Sequence, residues 1–262
     1  MLAVRICLVA DSNTLGQRVV KNVPGGSGKW VDVSAERFPG WIASFGVRHG
    51  AGDAGPAALT VRLADDRAAF TAPDGSIAEC YPPFPPATSG GPANGPADGP
   101  AAGTAMTDPR AVAEAIAAHA RTPRTVGVLL VRLGGYAVGV FTGYPPALAD
   151  SKTGSRLVHG RSAAGGWSQH RFARRREKQA NEALAAAADA AVAVLGRQAA
   201  LDEMVLGGDK RAVAELRDDP RLALYLDRAT ARFLTVPDPK RAVLEAAPKQ
   251  FTAIRIWLTQ PG

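Results

Sequence analysis

A strongly apolar segment over residues 124–133 is the feature that most constrains how this chain can fold. Its apolar positions are Val126, Val128, Leu129, Leu130 and Val131. Apolar residues without polar alternation are typical of a central strand that is buried on both faces of a sheet. Gly134-Gly135 then predicts a turn, and residues 136–142 predict a second strand, antiparallel to the first.

The segment after these two strands predicts the rest of one sheet and its helices. Leu157 and Val158 indicate a third short strand. Further elements are predicted as a helix at about 171–198, a strand at 204–206, a helix at 210–218 capped by Asp209, a helix at 222–233 and a strand at 251–258 that closes the sheet. The order β-β-β-loop-α-β-α-β predicts an α/β fold, a mixed β-sheet with packed helices.

The predicted helix at about 171–198 changes character along its length. Its later turns carry a narrow apolar stripe of Leu184, Ala187, Ala188, Ala191 and Leu195. With a rise of about 1.5 Å per residue, the helix is about 40 Å long. We therefore expect its C-terminal part to pack on the sheet and its basic N-terminal part to project from it.

Composition divides the chain into four predicted parts. They are a poorly ordered N-terminal extension (1–30), a small N-terminal α+β unit (31–82), a Pro/Gly/Ala-rich linker (83–106) and the main domain (107–262). Gly25-Gly26-Ser27-Gly28-Lys29 lacks the spacing of a phosphate loop and indicates a flexible linker. Pro39 predicts the first turn of a short helix, Pro73-Asp74-Gly75 a hairpin turn, and Asp108 the cap of a helix at 109–121.

Composition also limits the classes of function. The formal net charge of +7 favours an anionic partner such as nucleic acid. Cys7 and Cys80 are the only cysteines, and the four histidines have no acidic residue at ligand spacing, so we expect no metal site and no cofactor. No apolar run reaches the roughly 18 residues of a membrane span. We therefore expect a cytoplasmic protein without a membrane partner.

A glycine-rich loop that runs into a basic helix carries the most distinctive chemistry. The loop reads Gly160-Arg161-Ser162-Ala163-Ala164-Gly165-Gly166-Trp167-Ser168-Gln169-His170, and Arg171, Arg174, Arg175 and Lys178 follow it on one predicted helix face. Four like charges at a helix N-terminus oppose the helix dipole, so an anionic partner would explain their position. Gly165-Gly166 would let backbone N–H groups approach that partner closely.

The polar residues of this loop differ in the chemistry they can perform. Ser168 lacks the second glycine of a nucleophile elbow, and its pattern predicts a helix N-cap instead. The amide of Gln169 is neither an acid, a base nor a nucleophile at neutral pH. It can orient a water molecule, and its backbone N–H can donate to a developing oxyanion. A solvated glutamine at a helix start is the alternative interpretation.

The loop and the residues after it, Arg171-Phe172-Ala173-Arg174-Arg175-Arg176-Glu177, resemble the Vms-like release-factor family, and specifically its actinobacterial branch of peptidyl-tRNA hydrolases. That family resembles the middle domain of eukaryotic and archaeal class 1 release factors, and the resemblance implies an RNase H-like fold. In this chain Trp167-Ser168 separates Gly165-Gly166 from Gln169, so the Gly-Gly-Gln tripeptide of release factors is not present as such. The resemblance extends more loosely to Leu129-Leu130-Val131-Arg132, residues 134–140 and Gly207-Gly208-Asp209.

The resemblance implies rescue of stalled translation, with peptidyl-tRNA on the large ribosomal subunit as the substrate. Gln169 would position the attacking water, and Gly165, Gly166 and Ser168 would complete the catalytic loop. The residues expected to bind rRNA or tRNA are Arg161, Trp167, His170, Arg171, Arg174, Arg175, Arg176 and Lys178.

Two alternatives to ester hydrolysis stay open at this point. Eukaryotic relatives of the Vms-like family are described as nucleases, and this resemblance implies that the chain could instead cut the tRNA near its 3′ end. The basic helix alone would also suffice for a non-catalytic ribosome- or RNA-binding module. The length of the released tRNA separates hydrolysis from cleavage, and a Gln169→Ala variant separates both from simple binding.

Overall fold

The computed structural model describes residues 28–64, 66–84, 108–132, 134–155 and 168–260, with the side chains of all of these except residues 51, 53, 54 and 168–177. In chain order the strands are β1 (Gly28–Val33), β2 (Thr60–Leu63), β3 (Ala68–Thr71), β4 (Ile77–Tyr81), β5 (Arg124–Arg132), β6 (Gly135–Gly143), β7 (Ala147–Ser155), β8 (Glu203–Gly208), β9 (Ala229–Leu234) and β10 (Ile254–Thr259). The helices are α1 (Phe38–Gly46), α2 (Pro109–Ala120), α3 (Ser168–Leu195), α4 (Lys210–Leu216), α5 (Ala223–Leu226), α6 (Arg241–Ala246) and α7 (Pro248–Phe251).

Contacts divide the chain into two compact units. The first combines Met1–Arg121 with Thr252–Gly262, and the second is Thr122–Phe251. Helix α2 and strand β10 therefore belong to the first unit, whereas the sequence placed both in the domain at 107–262. Strand β10 pairs with β1 and β4, so the prediction that the last strand closes the same sheet as β5 was wrong.

The first unit is an antiparallel sheet with helices on one face. Its strand order is β1-β10-β4-β3-β2. Apolar residues at alternate strand positions, among them Phe70, Cys80 and Ile256, face α1 and α2, which contribute Ile42 and Ile116 to the same core. The side chains of the intervening strand residues lie on the opposite face of the sheet.

Local sequence signals set several turns and caps of the first unit, as predicted. Gly75 has a φ of +86° in the β3–β4 turn, and Asp74 Oδ1 accepts a hydrogen bond of 2.8 Å from the N–H of Ser76. Asp108 caps α2 through bonds from the N–H groups of Arg110 and Ala111. Phe84 is buried, and its carbonyl contacts the His119 ring, so the ordered unit extends past residue 82.

The second unit is a mixed sheet with helices on both faces, which confirms the predicted fold class. The strand order is β7-β6-β5-β8-β9; β5 runs parallel to β8, and β6 runs antiparallel to both of its neighbours. Counted from β5 the order is 3-2-1-4-5, as expected for an RNase H-like domain. Helices α3 and α4 cover one face, while Leu244 of α6 and Phe251 of α7 lie against Gly139 and Phe141 on the other. Strand β5 is central and buried, as predicted from its apolar run.

Four predictions about individual segments need correction or lie outside the described residues. Residues 28–30 begin β1 and are not part of a linker. The segment predicted as a helix at 222–233 is the short helix α5 followed by β9. The third strand of the second sheet is the polar β7, which the sequence did not indicate, whereas Leu157 and Val158 lie outside the described residues. Residues 1–27 and 85–107, which hold most of the predicted extension and linker, also lie outside them.

Among the described residues, no helix combines the length and the apolar character that crossing a membrane requires.

Candidate functional site

The predicted site lies between the end of β7 at Ser155 and the start of α3 at Ser168. Residues 156–167 lie outside the described part of the chain, and with them Arg161, Gly165, Gly166 and Trp167. For the remaining site residues up to Arg176 the helical backbone is described but the side chains are not. These are Ser168, Gln169, His170, Arg171, Arg174, Arg175 and Arg176.

Helix α3 is described from Ser168, so the helix includes Ser168, Gln169 and His170 in addition to the segment predicted from about Arg171. The residues before Ser168 lie outside the described part of the chain. Gln169 therefore lies in the N-terminal part of α3, towards the positive end of the helix dipole.

The basic positions of α3 share one face because the backbone from 171 to 178 is helical. They are Arg171, Arg174, Arg175 and Lys178. The side chain of Lys178, the one of this set that is described, is exposed. A continuous helix therefore places these basic positions on one face, as the sequence predicted.

The far end of α3 is held firmly in the second unit. Between Lys178 and Ala186 no residue of α3 is buried, whereas Ala187, Ala191 and Leu195 are buried against the sheet. Helix α3 therefore packs through its C-terminal part, as the apolar stripe predicted. Its length is about 42 Å, and the part before Leu184 accounts for about 24 Å of it.

Small residues allow this close packing. A methyl group on Gly127 of β5 would lie 3.1 Å from Leu195 Cδ2, and 2.9 Å from both Leu201 Cδ1 and Met204 Sδ. Side chains from the end of α3 and the start of β8 therefore pack directly against the backbone of β5 at Gly127. An anchored helix end gives the opposite end of α3 a defined direction.

Strand β7 ends at the edge of the sheet where β5 and β8 also end. In the β-ladders, Ser155 lies opposite Gly135, and Arg132 also lies opposite Gly135. Gly208 pairs with Val131 at the same edge. This is the carboxyl edge of the parallel strands, where α/β sheets generally bind their ligands.

Gly207-Gly208-Asp209, one of the segments in the resemblance, has a structural explanation at this edge. Gly208 has a φ of +100°, and a methyl group there would lie 2.1 Å from the carbonyl oxygen of Val131. That oxygen accepts a hydrogen bond of 2.7 Å from the N–H of Asp209, whose Oδ1 caps α4 at Arg211 N. The glycines let β8 turn into α4 against the end of β5.

Within the described part of the second unit, the side chains with shifted pKa values form two groups. Burial raises the pKa of Glu203, and the nearby Arg124 opposes this shift; both lie at the other end of β5 and β8. Hydrogen bonds from Arg221 lower the pKa of Asp219, and Arg221 also bonds Asp189 of α3 over 2.9 Å. The described ranges contain no cluster of His, Cys, Asp or Glu side chains that could hold a metal ion.

The fold and this helix define the class of protein: an RNase H-like α/β domain with a long helix that follows the edge strand β7. The family described as the Actinobacteria/chloroflexi VLRF1 release factor matches residues 124–257, which is just over half of the chain. The chain therefore belongs to this release-factor family, as its resemblance at 160–177 predicted.

Comparisons with other proteins add little beyond this. No curated protein matches the chain. Among solved structures, an archaeal translation termination factor, aRF1, is 15% identical to this chain, with a TM-score of 0.37. The matched region covers 70% of this chain and 51% of the aRF1 chain. A second solved structure, described as an archaeal protein, is also 15% identical, with a TM-score of 0.27. The matched region covers 70% of this chain and 52% of that protein's chain. The chain thus spans about half the length of these two proteins.

Proposed function

We propose that this release-factor family member is a peptidyl-tRNA hydrolase that frees nascent chains from stalled ribosomes or large ribosomal subunits. Membership of the release-factor family supports the general role. The observation that carries the specific proposal is that Gln169 lies in the N-terminal part of α3, on the same continuous helix as the basic positions from 171 to 178.

The proposed chemistry is attack of water on the ester that joins the nascent peptide to the terminal adenosine of the tRNA. The carbonyl carbon gains the water oxygen, the ester oxygen leaves on the ribose, and one proton ends on that oxygen. Gln169 positions the water through its side-chain amide. Its backbone N–H donates to the oxyanion that develops in the transition state, a contribution of about 3 kcal/mol in comparable sites.

The basic face of α3 supplies the affinity for RNA in this proposal. The positions of Arg171, Arg174, Arg175 and Lys178 face one direction on a helix that is anchored at its other end. Contacts to rRNA or tRNA phosphates from these residues give salt-dependent binding without reading the base sequence. Arg161, Trp167, His170 and Arg176 lie next to this face in the sequence and extend it.

The test uses purified large subunits that carry radiolabelled peptidyl-tRNA. Wild type and Gln169→Ala are compared for peptide release, for the length of the freed tRNA and for binding to the subunit. Gln179→Ala, a change of the same residue type farther along α3, is the matched control. Ester hydrolysis through this loop predicts release with full-length tRNA. Gln169→Ala keeps the backbone N–H but loses the amide that positions the water, so release should fall by a factor of about 100 while binding persists.

A second pair of variants separates binding from chemistry. Arg174→Glu/Arg175→Glu is expected to abolish binding, whereas Arg211→Glu/Arg217→Glu, which reverses two exposed charges on and after α4, is expected to preserve it. Shortened tRNA in the wild-type reaction would contradict ester hydrolysis and identify a nuclease. Binding without release by wild type would identify a non-catalytic RNA-binding module.

A further inference from the structure

The face of the first sheet that points away from α1 and α2 carries an aromatic cluster. Strand alternation places Trp30 of β1, Trp257 of β10 and Tyr81 of β4 on this face, while their neighbours Val31, Ile256 and Cys80 face the core. Two guanidinium groups, those of Arg67 and Arg255, lie against the rings. We call these five side chains the aromatic platform. All of them belong to the first unit.

Trp30 is the exposed ring of the platform, and it packs against the other two aromatic rings. Its centroid lies 5.1 Å from that of Trp257 and 5.5 Å from that of Tyr81, at interplanar angles of 57° and 59°. Trp30 is 41% exposed, whereas Trp257 is only 8% exposed. The Trp257 ring in turn lies over Gly28, where a methyl group would be 2.5 Å from the ring. Trp30 therefore offers a supported indole surface to the solvent.

Carboxylates fix the two guanidinium groups beside the rings. Arg255 lies 5.1 Å from the centroid of Trp30 and 3.4 Å from Asp32 Oδ1. Arg67 lies 5.5 Å from the centroid of Tyr81, and its Nε is 3.5 Å from Glu79 Oε1. The acidic partners offset much of the positive charge. Ligand affinity at this surface must therefore come mainly from stacking and directed hydrogen bonds rather than from net charge.

One polar atom of the cluster has no partner. The indole N–H of Trp257 is buried and, within the described part of the chain, has no hydrogen-bond acceptor. Buried tryptophan N–H groups usually find one. By contrast, the phenol of Tyr81 donates to Glu79 Oε2 over 3.2 Å, and burial raises its pKa to about 12, so it stays protonated at neutral pH. An unpartnered donor beneath an exposed indole indicates a surface completed by an acceptor-bearing ligand.

We propose that the aromatic platform binds unpaired RNA nucleotides, with a base stacked on Trp30 and the neighbouring phosphate bound by Arg255. Aromatic rings on a helix-backed antiparallel sheet, interleaved with guanidinium groups, are the chemistry that recognises single-stranded nucleic acid. A proline-rich peptide would also stack on an indole but would make no use of the two guanidinium groups. The platform shares no residue with the loop before α3, and the proposal stands whether or not that loop hydrolyses an ester.

The test uses the full chain carrying Arg174→Ala/Arg175→Ala, so that α3 contributes less to RNA binding. Fluorescence anisotropy follows the binding of a labelled oligoadenylate of about ten nucleotides. In this background, Trp30→Ala is expected to weaken binding about tenfold, while Trp30→Phe, which keeps a stacking ring, loses only a few-fold. Val47→Ala, an exposed apolar residue of the same unit just after α1, is the matched control and is expected to have no effect.

Arg255→Gln gives a second measurement that does not depend on Trp30. It is expected to weaken binding and to reduce the dependence of affinity on salt, because it removes one phosphate contact, whereas Trp30→Ala leaves the salt dependence unchanged. Circular dichroism verifies that each variant is folded. Equal oligoadenylate binding by the background protein, folded Trp30→Ala and Arg255→Gln would overturn the proposal. Displacement of the RNA by a proline-rich peptide but not by excess unlabelled oligoadenylate would also overturn it.

Discussion

Arg197 Nη1 donates a hydrogen bond of 2.8 Å to Asp150 Oδ2 and so joins the second residue after α3 to the edge strand β7. Strand β7 and helix α3 flank the loop that precedes Gln169. The bond connects them at the end opposite the loop. It adds to the apolar contacts of Ala191 and Leu195 that hold α3 on the sheet.

The Arg197–Asp150 pair is expected to contribute little to stability. The Arg197 side chain is 60% exposed, and exposed ion pairs contribute about 0.5 kcal/mol to the free energy of unfolding. A double-mutant cycle of Arg197→Ala and Asp150→Ala, measured by urea unfolding, should give a coupling energy of that size. A coupling above about 2 kcal/mol would contradict this estimate and assign the pair a larger part in holding α3.

Gly208→Ala is expected to lower the free energy of unfolding by about 3 kcal/mol, since it combines backbone strain with a clash against the Val131 carbonyl. Gly143→Ala is the matched control. Gly143 also has a positive φ, of +81°, but a methyl group there meets no atom within 4 Å. Its cost should be about 1 kcal/mol, from strain alone. Equal losses in the two variants would show that the close approach of β8 to β5 has little effect on stability.

Gly127→Ala is expected to lower the free energy of unfolding by about 1–2 kcal/mol, because the added methyl group displaces Leu195, Leu201 and Met204. Gly40→Ala should have the opposite sign. Gly40 is an exposed residue within α1 with no atom near its added methyl group, so alanine should stabilise the protein by about 0.5–1 kcal/mol. Thermal unfolding of both variants checks the signs.

The turn at Asp74 is expected to make stability fall in acid. The Ser76 N–H holds the pKa of Asp74 below its ordinary value, against the effect of burial, and His49 Nδ1 also bonds Asp74 at 2.8 Å. A carboxylate whose pKa is lower in the folded state stabilises the protein above its unfolded pKa. That stabilisation is lost as the pH falls through the folded value. The melting temperature of Asp74→Asn should therefore fall less than that of wild type between about pH 5 and pH 2. Parallel curves would contradict this.

Lys178→Ala is expected to weaken binding to the large ribosomal subunit and to reduce the slope of log affinity against log salt by about one unit. The cause is the loss of one phosphate contact from the basic face of α3. Lys249→Ala, which removes an exposed lysine from α7, should leave both quantities unchanged. Filter binding over a range of salt concentrations measures them. An unchanged slope in Lys178→Ala would exclude this lysine from the RNA contact.

The sequence by itself determined those elements whose residues strongly favour one conformation. The apolar segment at 124–133 is typical of a strand that is buried on both faces, and β5 is the central strand of the second sheet. The stripe through Ala187, Ala191 and Leu195 predicted which part of α3 is buried. Asp108, Asp209 and Pro73-Asp74-Gly75 act over a few residues, so their caps and turn follow from local chemistry. The loop with Gln169 was also distinctive enough to predict the family.

Tertiary structure alone decided the elements whose patterns suit more than one partner. Residues 229–233 were predicted to continue a helix, but Phe233 and the following Leu234 pair with β8, and this pairing makes the segment a strand. The polar β7 is a strand only because β6 offers it an edge to bond. The alternation of Ile254 and Ile256 would suit either sheet, and contacts with β1 and β4 place β10 in the first. The aromatic platform exists for the same reason: Trp30 and Trp257 are far apart in sequence, and only the pairing of β1 with β10 brings them together.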